Sequence, residues 1–288
     1  MAKIREIRAR VFGIKKTQKI TSAMRMISAA RLARAQTAAE KSRAYGEKLR
    51  EIFASVARGL ESDAHPLLSP REKKRKLDVV VVTSDRGLCG AYNSNLLKHA
   101  VALIAERKAE FESFAVIPVG KRARDFFRRR RVEVPRAWTG LGSPTPEHAH
   151  EIADFLIQRY LAGESDEVIV LYGRFVSVLT QTPTHLTILP VMGAVSEEQD
   201  QGAQLVYETE PDPVTLLAAV LPRVIEFAIQ RALLENAASE HGARMTAMEA
   251  ATENTRELIR SLTLDMNKAR QTQITTELTE IVAGAEAL

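Results

Sequence analysis

Starting at Leu217 and stepping alternately by three and four residues, the chain holds one register through Val224, Phe227, Leu234, Met248 and Ile259 to Ala269. Twelve of those 16 positions are apolar, which is the pattern of a coiled-coil seam. The same walk at the front gives Ile4, Ile7, Val11 and Ile14, then a polar patch, then Leu32, Ala35, Ala39, Leu49, Phe53 and Val56. The first proline is Pro66, so residues 3 to about 58 can form one helix. Residues 212–288 contain only Pro213 and Pro222. At 1.5 Å per residue, helices of these lengths extend roughly 84 and 110 Å. A compact chain of this size has a radius of gyration of only about 19 Å. Helices that long project from a globule, and a projecting apolar stripe is covered only if each helix buries its seam on the other. The expected arrangement is an antiparallel pair joined by the middle of the chain.

That middle has a different texture. Residues 77–195 alternate short β-rich runs (LDVVVV, FAVIPVG, DEVIVLYG, THLTILP) with helical stretches near 92–110, 121–130 and 146–162. This is the alternation of a small, mostly parallel sheet covered by helices. The expected fold class is therefore α/β, a central Rossmann-like domain carrying a long antiparallel coiled coil. The expected domains are an N-terminal helix at 1–58, the α/β domain at 77–195 and a C-terminal helix at 212–288. Asp212 followed by Pro213 reads as the N-cap and first turn of the last helix.

Charge is unevenly spread. Residues 1–58 carry 15 Lys or Arg against 4 Asp or Glu, whereas residues 212–288 carry 7 against 11. The basic front attracts the acidic tail and has charge left for an acidic partner, either nucleic acid or carboxylates on another protein. The single cysteine, Cys89, excludes an internal disulfide and a cysteine-based zinc site, and points to a reducing compartment. No apolar run reaches the length of a membrane span. The Arg-rich start resembles a transit peptide, but its helical pattern runs past any plausible cleavage point, which argues for mature protein.

The stretch VVVVTSDRGLCGAYNSN (79–95) is a strand, a glycine-bearing turn and a helix start, where α/β proteins hold phosphates. It has neither the Walker lysine nor three dinucleotide-type glycines, and Asp85 repels a phosphate. Cys89 is expected as a small core residue. The HAH pair at 148–150 is expected at the surface rather than on a metal. In KRARDFFRRRR (121–131) Phe126 and Phe127 are expected to pack on the sheet while the arginines stay in solvent, although such interleaving can also grip phosphates. Register breaks are equally informative. The first seam fails at Gln18, Thr21, Arg25 and Ser28, while Ile20, Met24 and Ile27 form another stripe. Near the end, Ile274, Leu278, Ile281 and Ala285 are apolar out of phase. An overhanging helix with a fresh apolar face calls for a socket in a different protein.

The segments QKITSAMRMISAARLARAQ, TSDRGLCGAYNSNL, ARMTAMEAATENTRELI and NKARQTQITTELTEIVAGA resemble, in order and over nearly the full length, the gamma subunit of the F-type ATP synthase. The resemblance implies a central rotary shaft inside the ring of alpha and beta subunits. Its α/β foot would lie on the ring of c subunits beside the epsilon subunit, one copy per complex, peripheral to the cytoplasmic face of a bacterial plasma membrane. It implies hexamer contacts at Ile20, Met24, Arg270, Gln271, Thr275 and Glu277. Foot contacts would fall at Ser42, Arg43, Tyr45, Val206, Tyr207 and Glu208. No catalytic residue, metal or cofactor is implied, since the nucleotide chemistry belongs to the partner subunits. Ala91 and Tyr92 depart from the family's usual turn, and the cysteine pair of the chloroplast form is absent. The rival readings are a coiled-coil nucleic-acid-binding protein and a nucleotide-dependent enzyme centred on residues 79–95.

Overall fold

The computed structural model describes residues 2–57, 65–71, 73–191 and 212–286. In chain order these form α1 (Ala2–Ala57), β1 (Lys76–Val82), α2 (Tyr92–Arg107), β2 (Ser113–Val119), α3 (Lys121–Arg129), α4 (Pro146–Leu161), β3 (Glu167–Phe175), β4 (Gln181–Leu189) and α5 (Pro213–Glu286). They divide into two compact units, one of residues 1–28 with 244–288 and one of residues 29–243. Among the described residues, no helix is long and apolar enough to cross a membrane.

The larger unit is built on a four-stranded sheet of order β2-β1-β3-β4. β1 pairs in parallel with β2 and β3, and β4 closes one edge antiparallel to β3. Both faces of the sheet are covered, which explains why β1 reads as an unbroken apolar run rather than an alternating one. Val80, Val82, Ile117 and Val170 face a core shared with α4, Phe53 of α1 and Leu217, Leu221 and Ile225 of α5. Val79, Val81, Val116 and Ile169 face the opposite core, with Leu96, Ala100 and Leu103 of α2 and Phe127 of α3. Within this unit α1 and α5 run antiparallel and touch where the Tyr45 and Phe227 rings stand 5.8 Å apart. At Gly46 a Cβ atom would lie 2.0 Å from the Phe227 ring, so only glycine allows that approach.

α5 begins as Asp212 foretells. Its Oδ1 accepts the N–H groups of Val214 and Thr215, both at 3.0 Å, and its Oδ2 accepts the Thr215 hydroxyl at 2.6 Å. These bonds satisfy first-turn donors that no helical carbonyl reaches. Pro222 lies within α5, inside its first three turns, and the helix continues past it.

In the smaller unit the polar break of the first seam meets polar residues of α5. The Thr21 and Thr252 hydroxyls are 2.8 Å apart, and Arg25 reaches Glu249 at 3.5 Å. The helices are thus antiparallel here too, and continuing that register brings the start of α1 level with about Gln271. The described part of α5 beyond it has no partner from α1.

Candidate functional site

The turn at 79–95 leads into α2, but its polar groups are engaged by the N-terminus of the neighbouring helix α3. Thr83, Ser84 and Asp85 follow β1, and all three engage the N-terminus of α3. The Asp85 carboxylate accepts the N–H of Lys121 and that of Gly140, each at 2.9 Å. The Thr83 hydroxyl accepts the N–H of Ala123 at 3.0 Å, and the Ser84 carbonyl accepts that of Arg122 at 3.2 Å. The helix end that would otherwise attract an anion is capped by a carboxylate of its own chain. The Ser84 N–H goes to Asn93 Oδ1 at 3.1 Å, and the Asn93 amide reaches the Cys89 sulfur at 3.0 Å. Cys89 is buried, as expected from sequence.

In open sheets of this kind, ligands enter the crevice between the carboxyl ends of the strands where the chain order reverses, here β1 and β3. The β1–β3 pairing ends at Val81 opposite Leu171, but β3 continues to Phe175. α5 takes the place of the missing neighbour. Asn236 Oδ1 accepts the Tyr92 hydroxyl at 2.7 Å and the Gly173 N–H at 3.3 Å. The Ser239 hydroxyl donates to the Gly173 carbonyl at 2.8 Å. Asn236 and Ser239 are 4% and 0% exposed, so these are fully desolvated polar contacts. Sequence reasoning missed them, because both lie between the seam positions Leu234, Ala238 and His241 and look like ordinary polar surface residues.

The remaining chemical candidates resolve in the same direction. His148 completes a capping box with Thr145 at the start of α4, and His150 faces Glu226 at 3.3 Å. Among the described residues, no group of three His, Cys, Asp or Glu is placed to hold a metal ion. In the arginine run Phe127 is buried, whereas Phe126 is half-buried, with the Arg130 guanidinium 3.6 Å from its ring centre. Only Phe127 therefore packs as fully as the sequence suggested. Phe126 packs against the same core less completely, and the adjacent guanidinium covers part of its ring.

The residues singled out for contacts with other subunits are mostly exposed. Ile20 is 60% exposed and Met24 is half-buried. Arg270, Gln271, Thr275 and Glu277 all face solvent on α5. Met24 lies level with Glu249 and Ala250, about 30 Å along the helix from Arg270, so the structure does not bring these two sets together. The unpartnered end of α5 exposes Ile274, Leu278, Ile281 and Val282. Its threonines, including Thr272, Thr275 and Thr279, return their hydroxyls to carbonyls of the preceding turn. In the larger unit Ser42 and Arg43 line a cleft of about 680 Å³ together with Arg50, Arg174, Phe227 and Arg231. Tyr45 is exposed beside it. Val206, Tyr207 and Glu208 lie outside the described residues.

Fold and edge together define a class: a paired-helix protein borne on a doubly wound α/β domain whose ligand crevice is closed by its own last helix. A family model described as ATP synthase matches residues 3–288. The chain is 44% identical to the ATP synthase gamma chain of Pelotomaculum thermopropionicum, over all of both chains. Its fold is similar to a chain in a cryo-EM structure of the Euglena gracilis mitochondrial ATP synthase, OSCP/F1/c-ring, with a TM-score of 0.70 at 21% identity. That match covers 99% of this chain and 94% of the other. A chain of the rotor of the same organism's enzyme matches with a TM-score of 0.64 at 20% identity, covering 95% of this chain and 99% of that one. The chain belongs to the ATP synthase gamma chain family.

Proposed function

We propose that this chain is the central rotary shaft of an F-type ATP synthase. It couples ion flow through the membrane rotor ring to ATP synthesis or hydrolysis on the beta subunits by turning inside the alpha–beta hexamer. The observation that carries this reading is the full-length match at 44% identity to a gamma chain. The rival nucleic-acid and enzyme readings both lose their footing with that match. The chain is a non-catalytic subunit of a proton-transporting ATPase.

Mechanism follows from shape. A shaft that is not threefold symmetric presents a different surface to each beta subunit, and so favours a different conformation at each site. Rotation moves those conformations around the ring. In this reading residues 1–58 and 212–288 form the shaft, and residues 77–195 form the foot beside the epsilon subunit and the c-subunit ring. The α5 end bearing Arg270, Gln271, Thr275 and Glu277 is the bearing, with Ile20 and Met24 as hexamer contacts lower on α1. Exposed apolar residues at Ile274, Leu278 and Ile281 support a socket supplied by other chains. Ser42, Arg43, Tyr45, Val206, Tyr207 and Glu208 are the foot contacts. One copy serves each complex, held peripherally at the cytoplasmic face of a bacterial plasma membrane.

The test is reconstitution of the chain with its alpha, beta and remaining subunits in vesicles, comparing the full chain with one ending at Ala269. Loss of coupled synthesis on truncation is the expected result. Full retention of synthesis would remove the bearing role.

A further inference from the structure

The contacts at the carboxyl end of β3 do more than fill a crevice. Pro183 stands opposite Gly173 on β4 and has no N–H to exchange, and β1 no longer pairs beside this position. Both peptide groups of Gly173 are instead taken by α5, the N–H by Asn236 and the carbonyl by Ser239, on consecutive helical turns. The helix thus presents an acceptor and a donor where a neighbouring strand would present a carbonyl and an amide. Tyr92, the first residue of α2, ties the same Asn236 to the other side of the crevice. A Cβ on Gly173 would lie 2.4 Å from the Tyr92 hydroxyl oxygen, so the fit depends on the absence of a side chain.

We infer that Asn236, Ser239, Tyr92 and Gly173 form a torsional latch, fixing the roll of α5 against the sheet so that torque passes between the α/β domain and the shaft without slip. This rests on the rotary-shaft reading. The physical ground is the difference between the two kinds of contact α5 makes. Apolar contacts, such as those of Leu221 and Ile225, are non-directional and tolerate small rolls and slides of a helix. Hydrogen bonds to a backbone that is itself held in a sheet weaken steeply when donor and acceptor are misaligned, so they set an angle as well as a distance. Buried networks in which every member is satisfied are the ones that rigidify and specify one arrangement. These residues are positioning residues for rotation.

The experiment uses the complete enzyme with its hexamer immobilised and a probe on the α/β domain, and reads the angular spread of the probe during each dwell. Asn236→Leu with Ser239→Ala removes both α5 partners of Gly173, and Tyr92→Phe removes a single hydroxyl. Ile152→Val, on the buried face of α4, is the control for a mild loss of packing. The double variant is expected to widen the angular variance about twofold, Tyr92→Phe to widen it less, and Ile152→Val to leave it unchanged, as expected if directional bonds rather than packing fix the roll. A variance equal to wild type in Tyr92→Phe and in the double variant overturns the latch, as does equal widening in Ile152→Val. If the double variant does not assemble, Tyr92→Phe and Ser239→Ala decide by the same criterion. A wild-type chain that assembles with the hexamer but never rotates overturns the shaft reading and the latch with it, whereas rotation with unchanged variance overturns the latch alone.

Discussion

Arg159 of α4 holds Asp78 of β1 through two guanidinium nitrogens, Nε at 2.9 Å from Oδ2 and Nη2 at 3.3 Å from Oδ1. The same guanidinium reaches Glu164 at 2.7 Å. The Asp78 side chain is 2% exposed, and this burial pushes its carboxyl above the ordinary range despite the opposing pull of Arg159. The folded chain therefore binds this proton more readily than the unfolded chain. The resulting stabilisation is complete below the unfolded value and fades as pH rises through the folded one. Asp78→Asn removes that dependence. The stability gap between wild type and Asp78→Asn should shift in favour of wild type as pH falls from neutral into the carboxylate range, measured by urea unfolding at stepped pH. A shift the other way would mean that Arg159 governs the carboxyl.

Removing the other partner asks a different question of the same pair. Arg159→Leu leaves Asp78 buried without its cation and should cost on the order of 3 kcal/mol at neutral pH. Denaturant melts read this directly.

Gly46 and Phe227 set how closely α1 and α5 approach in the larger unit. Gly46→Ala should destabilise the protein by about 1–3 kcal/mol through overpacking, because the ring cannot retreat without leaving its place. Adding Phe227→Leu should recover part of that loss. A double variant no more stable than Gly46→Ala would place the strain elsewhere.

Asp212 offers a test at the start of α5. The Thr215 hydroxyl, followed by the backbone N–H groups of Thr215 and Val214, holds its carboxyl below the usual value. The stabilisation is present above the unfolded value and is lost as pH falls through the folded one. Asp212→Ala should therefore speed amide exchange at Val214 and Thr215 at neutral pH, and the difference from wild type should vanish in acid.

The Thr21–Thr252 contact lies where the seams are polar, yet each hydroxyl also has a local acceptor, the carbonyls of Gln18 and Met248. Replacing one threonine by valine should change stability by less than about 1 kcal/mol, since the remaining hydroxyl stays bonded. Replacing both should stabilise by about 1 kcal/mol through an apolar seam. Thermal melts of the two single variants and the double variant give the coupling.

The elements with strong periodicity were legible in the sequence. LDVVVV, FAVIPVG and DEVIVLYG each fall on a strand to within one or two residues, because two covered sheet faces demand continuous apolar runs, whereas THLTILP misses the first three residues of the edge strand β4, which is less buried. The cap at Asp212 was legible because its signal is local. The plug at the crevice was not. Asn236 and Gly173 are 63 residues apart, and nothing near Asn236 marks it as buried. The register break at Thr21 could be seen in the first helix, but its meeting with Thr252, a polar position inside the second seam, is a property of the paired helices. Of the arginine run, Phe127 was foreseen as core, whereas the guanidinium lying over Phe126 depends on how α3 ends.

Asp85 has one further consequence. Its carboxylate ties the end of β1 to the start of α3 and to Gly140 at once, so a shift of any one of these segments must be answered by the other two.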